Sequence, residues 1–439
     1  MRRIAVKFGG TSLADALQFQ KVKRILDEDP ARRYIVVSAP GKRYADDIKV
    51  TDLLIACWER AHDGHDFAAE LNTIRDRFAG IVEGLGICFD LDKEIQKIAA
   101  CLAAAPYRDY ALSRGEYLNG KIMAAYLQLP FIDPAFYIHF DEFGALDEEK
   151  TNTDLAGALE PLDGAVIAGF YGSLPSGAIK TFSRGGSDVT GAIVARAVGA
   201  ECYENWTDVS GMLAADPKII PEARKVEFIS YRELRILSYM GASVLHTDAV
   251  RPVRSDGIPI NIRNTNCPED PGTLIVPVLS ESQPRHAVTG VAGRRGLCVV
   301  QVEKSMVSDG AGFTAVLLDV FKNHRVPFEQ CLTGIDTISI VLRSDRFEPA
   351  RDAILEDIRR QLSPDTLCVK DHLSMITVVG EYAPSQANVT VNILAAVAAA
   401  GIPISTINQG AGNLNLILGV AESDYEASVR AIYRTIKSL

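Results

Sequence analysis

Short continuous apolar runs alternate with stretches of helical spacing through the first part of the chain. Ile4-Ala5-Val6-Lys7-Phe8 is the first run and stops at Gly9-Gly10. Helical spacing follows from Leu13 to about Asp27, with Ser12 as the expected cap and Asp15 three positions on. Tyr34-Ile35-Val36-Val37-Ser38 is a second run, closed by Ala39-Pro40-Gly41. Helical patterns then cover about 51–62, 66–83, 90–103 and 111–128. Ala165 to Gly169 reads as another strand and Val189 to Val198 as a helix, while Pro259 to Ile262 and Thr273 to Val276 close this part. Apolar strands alternating with helices predict an α/β fold whose mostly parallel sheet is covered on both faces. Ser280 to Pro284, polar and ending in Pro, reads as a linker.

Beyond that linker the pattern repeats at an offset of 76 positions. Arg325-Val326-Pro327-Phe328 matches Gly401-Ile402-Pro403-Ile404, and Phe313, Leu317, Leu318 and Phe321 match Val389, Ile393, Leu394 and Val397. Ile338-Ser339-Ile340 matches Leu414-Asn415-Leu416. A helix followed by alternating strands, twice over, predicts two small α+β modules.

Composition narrows the class. The 439 residues suit about two to four domains. A formal net charge of −10, with no basic run, argues against a nucleic-acid partner. No stretch of about 18 apolar residues occurs, and Lys7 interrupts the apolar N-terminus, so a cytoplasmic protein is expected. No two of the eight cysteines are closer than 13 positions, and no His-x-x-x-His pattern occurs; reduced thiols and no protein-held metal are expected.

Three clusters carry chemistry. Lys7-Phe8-Gly9-Gly10-Thr11-Ser12 ends a strand in a cation, two permissive glycines and a helix start, an arrangement that offers backbone N–H groups to an anion. Arg184-Gly185-Gly186-Ser187-Asp188 also opens a helix, and adds a guanidinium suited to bidentate capture of carboxylate or phosphate. Thr207-Asp208-Val209-Ser210-Gly211, followed by Asp216-Pro217-Lys218, is a polar turn after a strand.

Taken in order, these clusters resemble the signatures of aspartate kinases. So do Val37-Ser38-Ala39, Ser113-Arg114-Gly115-Glu116, and Gly241-Ala242 with Val244-Leu245-His246. The duplicated tail resembles the tandem ACT modules of the same enzymes. The resemblance covers essentially the whole chain. It implies a three-layer αβα amino-acid-kinase domain over 1–279, then ferredoxin-like ACT modules over 285–363 and 364–439.

The resemblance implies ATP-dependent phosphorylation of the side-chain carboxylate of L-aspartate, giving 4-phospho-L-aspartate, with Mg2+ on the phosphates. Lys7 and Asp188 would be the catalytic groups. Glu116 would take the substrate α-ammonium, Arg184 its α-carboxylate, and Ser38 and Thr51 would donate to carboxylate oxygens. Lys7, Gly9, Gly10, Ser187, Thr207, Asp208, Asp216 and Lys218 would hold ATP. Met306, Gly312, Phe313, Glu329, Asp336 and Thr337 stand where an effector amino acid would bind, lysine being favoured, and a homodimer or dimer of dimers is implied.

This chain also departs from the family. Leu213 replaces a usual Tyr, Ser243 a basic residue and Ser183 a Gly, and the loop from Gly41 to Asp52 is long. Its Lys42, Arg43 or Lys49 would have to supply the cation missing at Ser243. Two alternatives stay open. One is an amino-acid kinase acting on glutamate, acetylglutamate or a nucleotide; the ACT tail and Ser113 to Glu116 argue against it. The other is a catalytically weak amino-acid sensor that keeps the kinase fold, supported by Leu213 and Ser243.

Overall fold

The computed structural model describes residues 2–437 except Arg184, Ser243, Val244, His246, Ser282, Arg285, 306–311, 381–387 and 411–414. The chain forms two compact units. The first comprises Met1–Met212, Lys225–Ser238 and Ser243–Pro284, the second Leu213–Arg224, Tyr239–Ala242 and Arg285–Leu439.

The first unit is built on an eight-stranded sheet, ordered Phe228–Ser230, Thr273–Val276, Ile260–Asn264, Cys202–Thr207, Ile4–Phe8, Arg32–Val37, Ala165–Ala168, Phe131–Ile132. Every neighbouring pair is parallel except Ile260–Asn264 with Thr273–Val276. The mostly parallel sheet expected from the apolar runs is therefore present. Ile4–Phe8 is central and buried along its whole length, as a strand covered on both faces must be. One large apolar cluster joins its Ile4, Val6 and Phe8 to Phe19 and Ile25, to Ile74 and Phe78, and to Leu118 and Ile122.

Helix Arg108–Leu127 is buried almost all round, so it lacks the one-sided apolar stripe of a surface helix. Its approach to the loop after Arg32–Val37 depends on Gly115: a Cβ there would fall 2.7 Å from Ala39 Cβ. One local expectation is corrected. A 3-10 turn, Gly10–Leu13, precedes the first long helix, Ala16–Glu28, and Asp15 caps that helix by accepting from Gln18 N at 2.9 Å. The Ser12 hydroxyl is instead bonded to Thr265 Oγ1 at 2.8 Å.

The second unit contains a six-stranded sheet, ordered Phe328–Thr333, Thr337–Arg343, Gly290–Glu303, Thr366–Val379, Asn415–Ala421, Thr406–Gln409, and its neighbours pair antiparallel. The repeat is visible in helices Phe313–Asn323 and Val389–Ala399, whose first residues differ by the sequence offset and which bury Leu317 and Phe321, Ile393 and Val397. Two ferredoxin-like arrangements share the two 14-residue central strands. Leu297 to Glu303 pairs with Thr337–Arg343 and with Thr366 to Leu373, while Gly290 to Arg294 pairs with Met375 to Val379 on the side of Asn415–Ala421. Each half of a central strand thus serves a different helix pair.

Among the described residues no helix is long and apolar enough to cross a membrane. All eight cysteines are free thiols.

Candidate active site

Parallel strands present their carboxyl ends on one edge, where ligands of open α/β sheets bind. Lys7 lies one residue before the end of the central strand, and its side chain is buried. Its Nζ is 2.5 Å from Asp188 Oδ1 and donates to Asn205 Oδ1 at 3.4 Å. Asn205 Nδ2 in turn donates to Asp188 Oδ1 at 3.0 Å. Asp188 stands in the first turn of helix Gly186–Ala197, where the helix dipole favours a carboxylate. Gly185 adopts the left-handed conformation needed to turn into that helix, with φ 73°. Ser187 is buried against Gly169, where a Cβ would come within 2.6 Å of its Oγ.

The first glycine loop is tied down beside this group. Gly9 N donates to Trp206 O at 2.9 Å, and Gly41 N donates to Gly10 O at 2.7 Å. The Gly10–Gly41 approach leaves no room for side chains: a Cβ on Gly41 would lie 2.5 Å from Gly10 C, and one on Gly10 2.8 Å from Ala39 O. The glycines thus allow one backbone to approach another, and the Gly9 N–H is spent on Trp206 O and not offered to an anion.

Glu116 enters from helix Arg108–Leu127 and is buried. Burial pushes its carboxyl up to about 8, opposed by the Ala39 backbone N–H and by the charges of Arg114 and Lys7. Its Oε2 has no hydrogen-bond partner. One turn along the helix, Asn119 Nδ2 donates to Ser38 O at 2.6 Å, and Ser38 N donates to Phe8 O at 3.2 Å. Ser38 is half-buried, as is Thr51 in the first turn of helix Val50–His62. Beside Glu116, the buried Arg114 guanidinium lies 4.4 Å from the rings of Tyr110 and Tyr117 and 5.4 Å from Tyr171.

Other expected residues are placed less tightly. Thr207 ends its strand, and its hydroxyl donates to the exposed Asp208 at 3.3 Å. Asp216 and Lys218 form a local turn, Lys218 N donating to Asp216 Oδ1 at 2.9 Å, within a segment that belongs to the second unit, as does Leu213. In the long loop, Arg43 binds Asp47, and Lys42 Nζ donates to Ala45 O at 3.0 Å. Asp47 also receives the buried Arg77 at 2.6 Å, and the two guanidinium groups hold its carboxyl well below the usual range.

In the second unit Gly312 has φ 112° and opens helix Phe313–Asn323. Glu329 is paired with Arg294 at 2.9 Å, Asp336 O accepts from Lys304 N at 2.9 Å, and Thr337 O accepts from Gly334 N at 2.7 Å. Arg184, Met306 and Ser243 lie outside the described residues. Sequence reasoning missed Asn205. Its signal is strand alternation in Cys202–Thr207, readable only once that strand is known to lie beside Lys7 in register.

An amino acid kinase family model matches residues 2–264, and an ACT domain model matches residues 376–436. Aspartokinase 3 of Bacillus subtilis is 34% identical over 446 residues, covering 98% of this chain and 97% of that protein. Lysine-sensitive aspartokinase 3 of Escherichia coli is 27% identical over 459 residues, covering 99% of each. The crystal structure of Clostridium acetobutylicum aspartate kinase superposes with a TM-score of 0.89 at 41% identity, over 99% of this chain and 100% of that one. Because the likeness runs the length of both units and does not stop at a motif, the chain belongs to the amino acid kinase family and, within it, to the aspartokinases, ATP-dependent kinases of aspartate.

Proposed function

We propose that the chain transfers the γ-phosphoryl group of ATP to the side-chain carboxylate of L-aspartate, forming 4-phospho-L-aspartate, the first step toward lysine, threonine and methionine. The observation that carries this reading is the buried Glu116 carboxyl with its unpartnered Oε2. A buried polar atom without a partner costs about 1–3 kcal/mol, and a substrate α-ammonium supplies a partner. The acceptor carboxylate is ionised at neutral pH, so its attack on phosphorus needs no general base. It needs in-line positioning and a cation at the transferring phosphoryl group, the role of Lys7 held by Asp188. Arg184 would take the α-carboxylate, and Ser38 and Thr51 would donate to carboxylate oxygens. Gly9, Gly10, Ser187, Thr207, Asp208, Asp216 and Lys218 would contact the nucleotide.

Magnesium would arrive on the phosphate oxygens and neutralise part of their charge. Among the described residues no group of three or more His, Cys, Asp or Glu side chains is arranged to hold a metal. Lysine would act as effector at the second unit, through Met306, Gly312, Phe313, Glu329, Asp336 and Thr337, in a cytoplasmic homodimer or dimer of dimers. There Glu329 would have to exchange Arg294 for the effector's cationic side chain.

A coupled ADP-release assay with aspartate, glutamate and acetylglutamate at saturating Mg-ATP tests the reaction. Turnover with aspartate is expected, and none with aspartate would sink the proposal. Lysine and threonine added separately test the effector: inhibition by lysine is expected, and inhibition by threonine alone would reassign it.

A further inference from the structure

We propose that Asn205 is a positioning residue for phosphoryl transfer, its amide holding the Asp188 carboxylate and the Lys7 ammonium as one unit beside the Gly9-Gly10 loop. The proposal rests on the roles given above to Lys7 and Asp188.

Lys7 and Asn205 are register partners on adjacent parallel strands, and Asp188 reaches them from the first turn of helix Gly186–Ala197. Asn205 is 3% exposed and uses both ends of its amide. Nδ2 donates to Asp188 Oδ1 at 3.0 Å, and Oδ1 accepts from Lys7 Nζ at 3.4 Å, closing a triangle with the 2.5 Å ion pair. The amide fits one way round only. Turned over, it would set its carbonyl against a carboxylate oxygen and its NH2 against an ammonium. Two positions back on the same strand, Tyr203 OH donates to Asp188 O at 3.1 Å, so the strand fixes both the backbone and the side chain of Asp188.

An ammonium has three N–H donors. Asp188 and Asn205 occupy two, leaving the third for an anion. A Cβ built on Gly9 would lie 3.7 Å from Lys7 Nζ, so the ammonium rests against the glycine loop, where that anion would sit. Without the amide, Lys7 and Asp188 would still attract one another, but nothing would set which carboxylate oxygen Lys7 uses or where its third N–H points. Misplacement of this kind acts on the chemical step more than on aspartate capture.

Two variants test this. Asn205→Leu, close in volume, removes both hydrogen bonds. It is expected to lower kcat by about 10- to 100-fold, the range for hydrogen bonds to charged groups, with KM for aspartate within about twofold of wild type. Asn205→Asp keeps an acceptor for Lys7 and donates to Asp188 only while the new carboxyl is protonated. Among the described residues the charged and titratable groups around it are Lys7, Asp188, Tyr203 on its own strand, and Glu116 on helix Arg108–Leu127, which senses Lys7. Two carboxylates this close raise one pKa, so kcat of this variant should approach wild type at the acid end of pH 5–8. It should then fall by about tenfold or more with rising pH, a limb the wild type lacks.

A kcat within twofold of wild type for Asn205→Leu, or superimposable pH profiles for Asn205→Asp and wild type, would overturn the proposal. So would an equal rise in KM for aspartate, which marks a merely structural role. If the Leu variant does not fold, the Asp profile decides alone. All ratios are taken with whichever acceptor the wild type phosphorylates. Failure with aspartate itself therefore counts against the acceptor and not against Asn205.

Discussion

A carboxyl that is protonated when empty and ionised when it holds an ammonium must release a proton on binding. In the role proposed for it Glu116 is such a group, because burial raises it to about 8. At pH 7 a group of that pKa is about nine-tenths protonated, and at pH 6 about 99%. Only the ionised form attracts the substrate α-ammonium, so the apparent dissociation constant of aspartate scales with the inverse of the ionised fraction. That fraction rises about ninefold between pH 6 and pH 7. The aspartate carboxylates and amine do not titrate in this interval, so the change belongs to the protein. Calorimetric titration of aspartate at pH 7, in buffers of different ionisation enthalpy, should show release of about 0.9 proton per site. Glu116→Gln should abolish both the pH dependence and the proton release while weakening binding.

The stability of the empty protein carries the same signature. A group raised in the folded state favours folding fully below its unfolded pKa near 4.5, and the contribution is lost as pH rises through about 8. The Gln variant should therefore melt higher than wild type at pH 7–8. Flat aspartate affinity from pH 6 to 7 together with no proton release would refute the reasoning.

Three further outcomes follow from the geometry. Lys7→Ala should lower kcat by at least about 10²-fold with an unchanged circular dichroism spectrum; near-normal turnover would remove it from the site. Arg77→Met leaves Gly41 O and Ala14 O without their side-chain donor and Asp47 Oδ2 with Arg43 alone, and should cost about 3 kcal/mol in denaturant unfolding; a change below about 0.5 kcal/mol would contradict a structural role for the 41–49 loop. The lowered carboxyl of Asp47 stabilises above its unfolded pKa near 3.8 and ceases to as pH falls through its folded value, so this penalty should shrink in strong acid. Gly41→Ala should impair nucleotide-dependent turnover, since the added methyl group meets backbone atoms of Gly10 and Thr11 that cannot rotate away; unaltered kinetics would show that the loop does not need this approach.

Local chemistry made part of this molecule readable without coordinates. Ile4 to Phe8 followed by Gly9-Gly10 states a buried strand and a close turn within seven residues, and the structure has both. The two helices at an offset of 76 are likewise legible, because their buried positions recur at fixed spacing. Ser12 does not cap the first helix, since its hydroxyl is claimed by Thr265, a residue 253 positions away. The cations of the long loop are candidates for the site, yet Arg43 is spent on Asp47, whose carboxylate also receives Arg77 from helix Ala68–Leu85.

Strand periodicity, glycine placement and residue type, which are properties of neighbours in the chain, determined the class of fold, the duplication and the Lys7 glycine loop, while Glu116 stood out only through the resemblance to aspartate kinases. Tertiary structure alone decided which groups face one another. The Lys7–Asp188–Asn205 triangle joins the first strand to residues almost 200 positions on, Glu116 is raised by what packs around it, and each central strand of the second sheet is divided between two helix pairs. The physical reason is range. Propensity and periodicity act over a few residues, whereas desolvation, ion pairing and strand register depend on distances in space that only the packed chain creates.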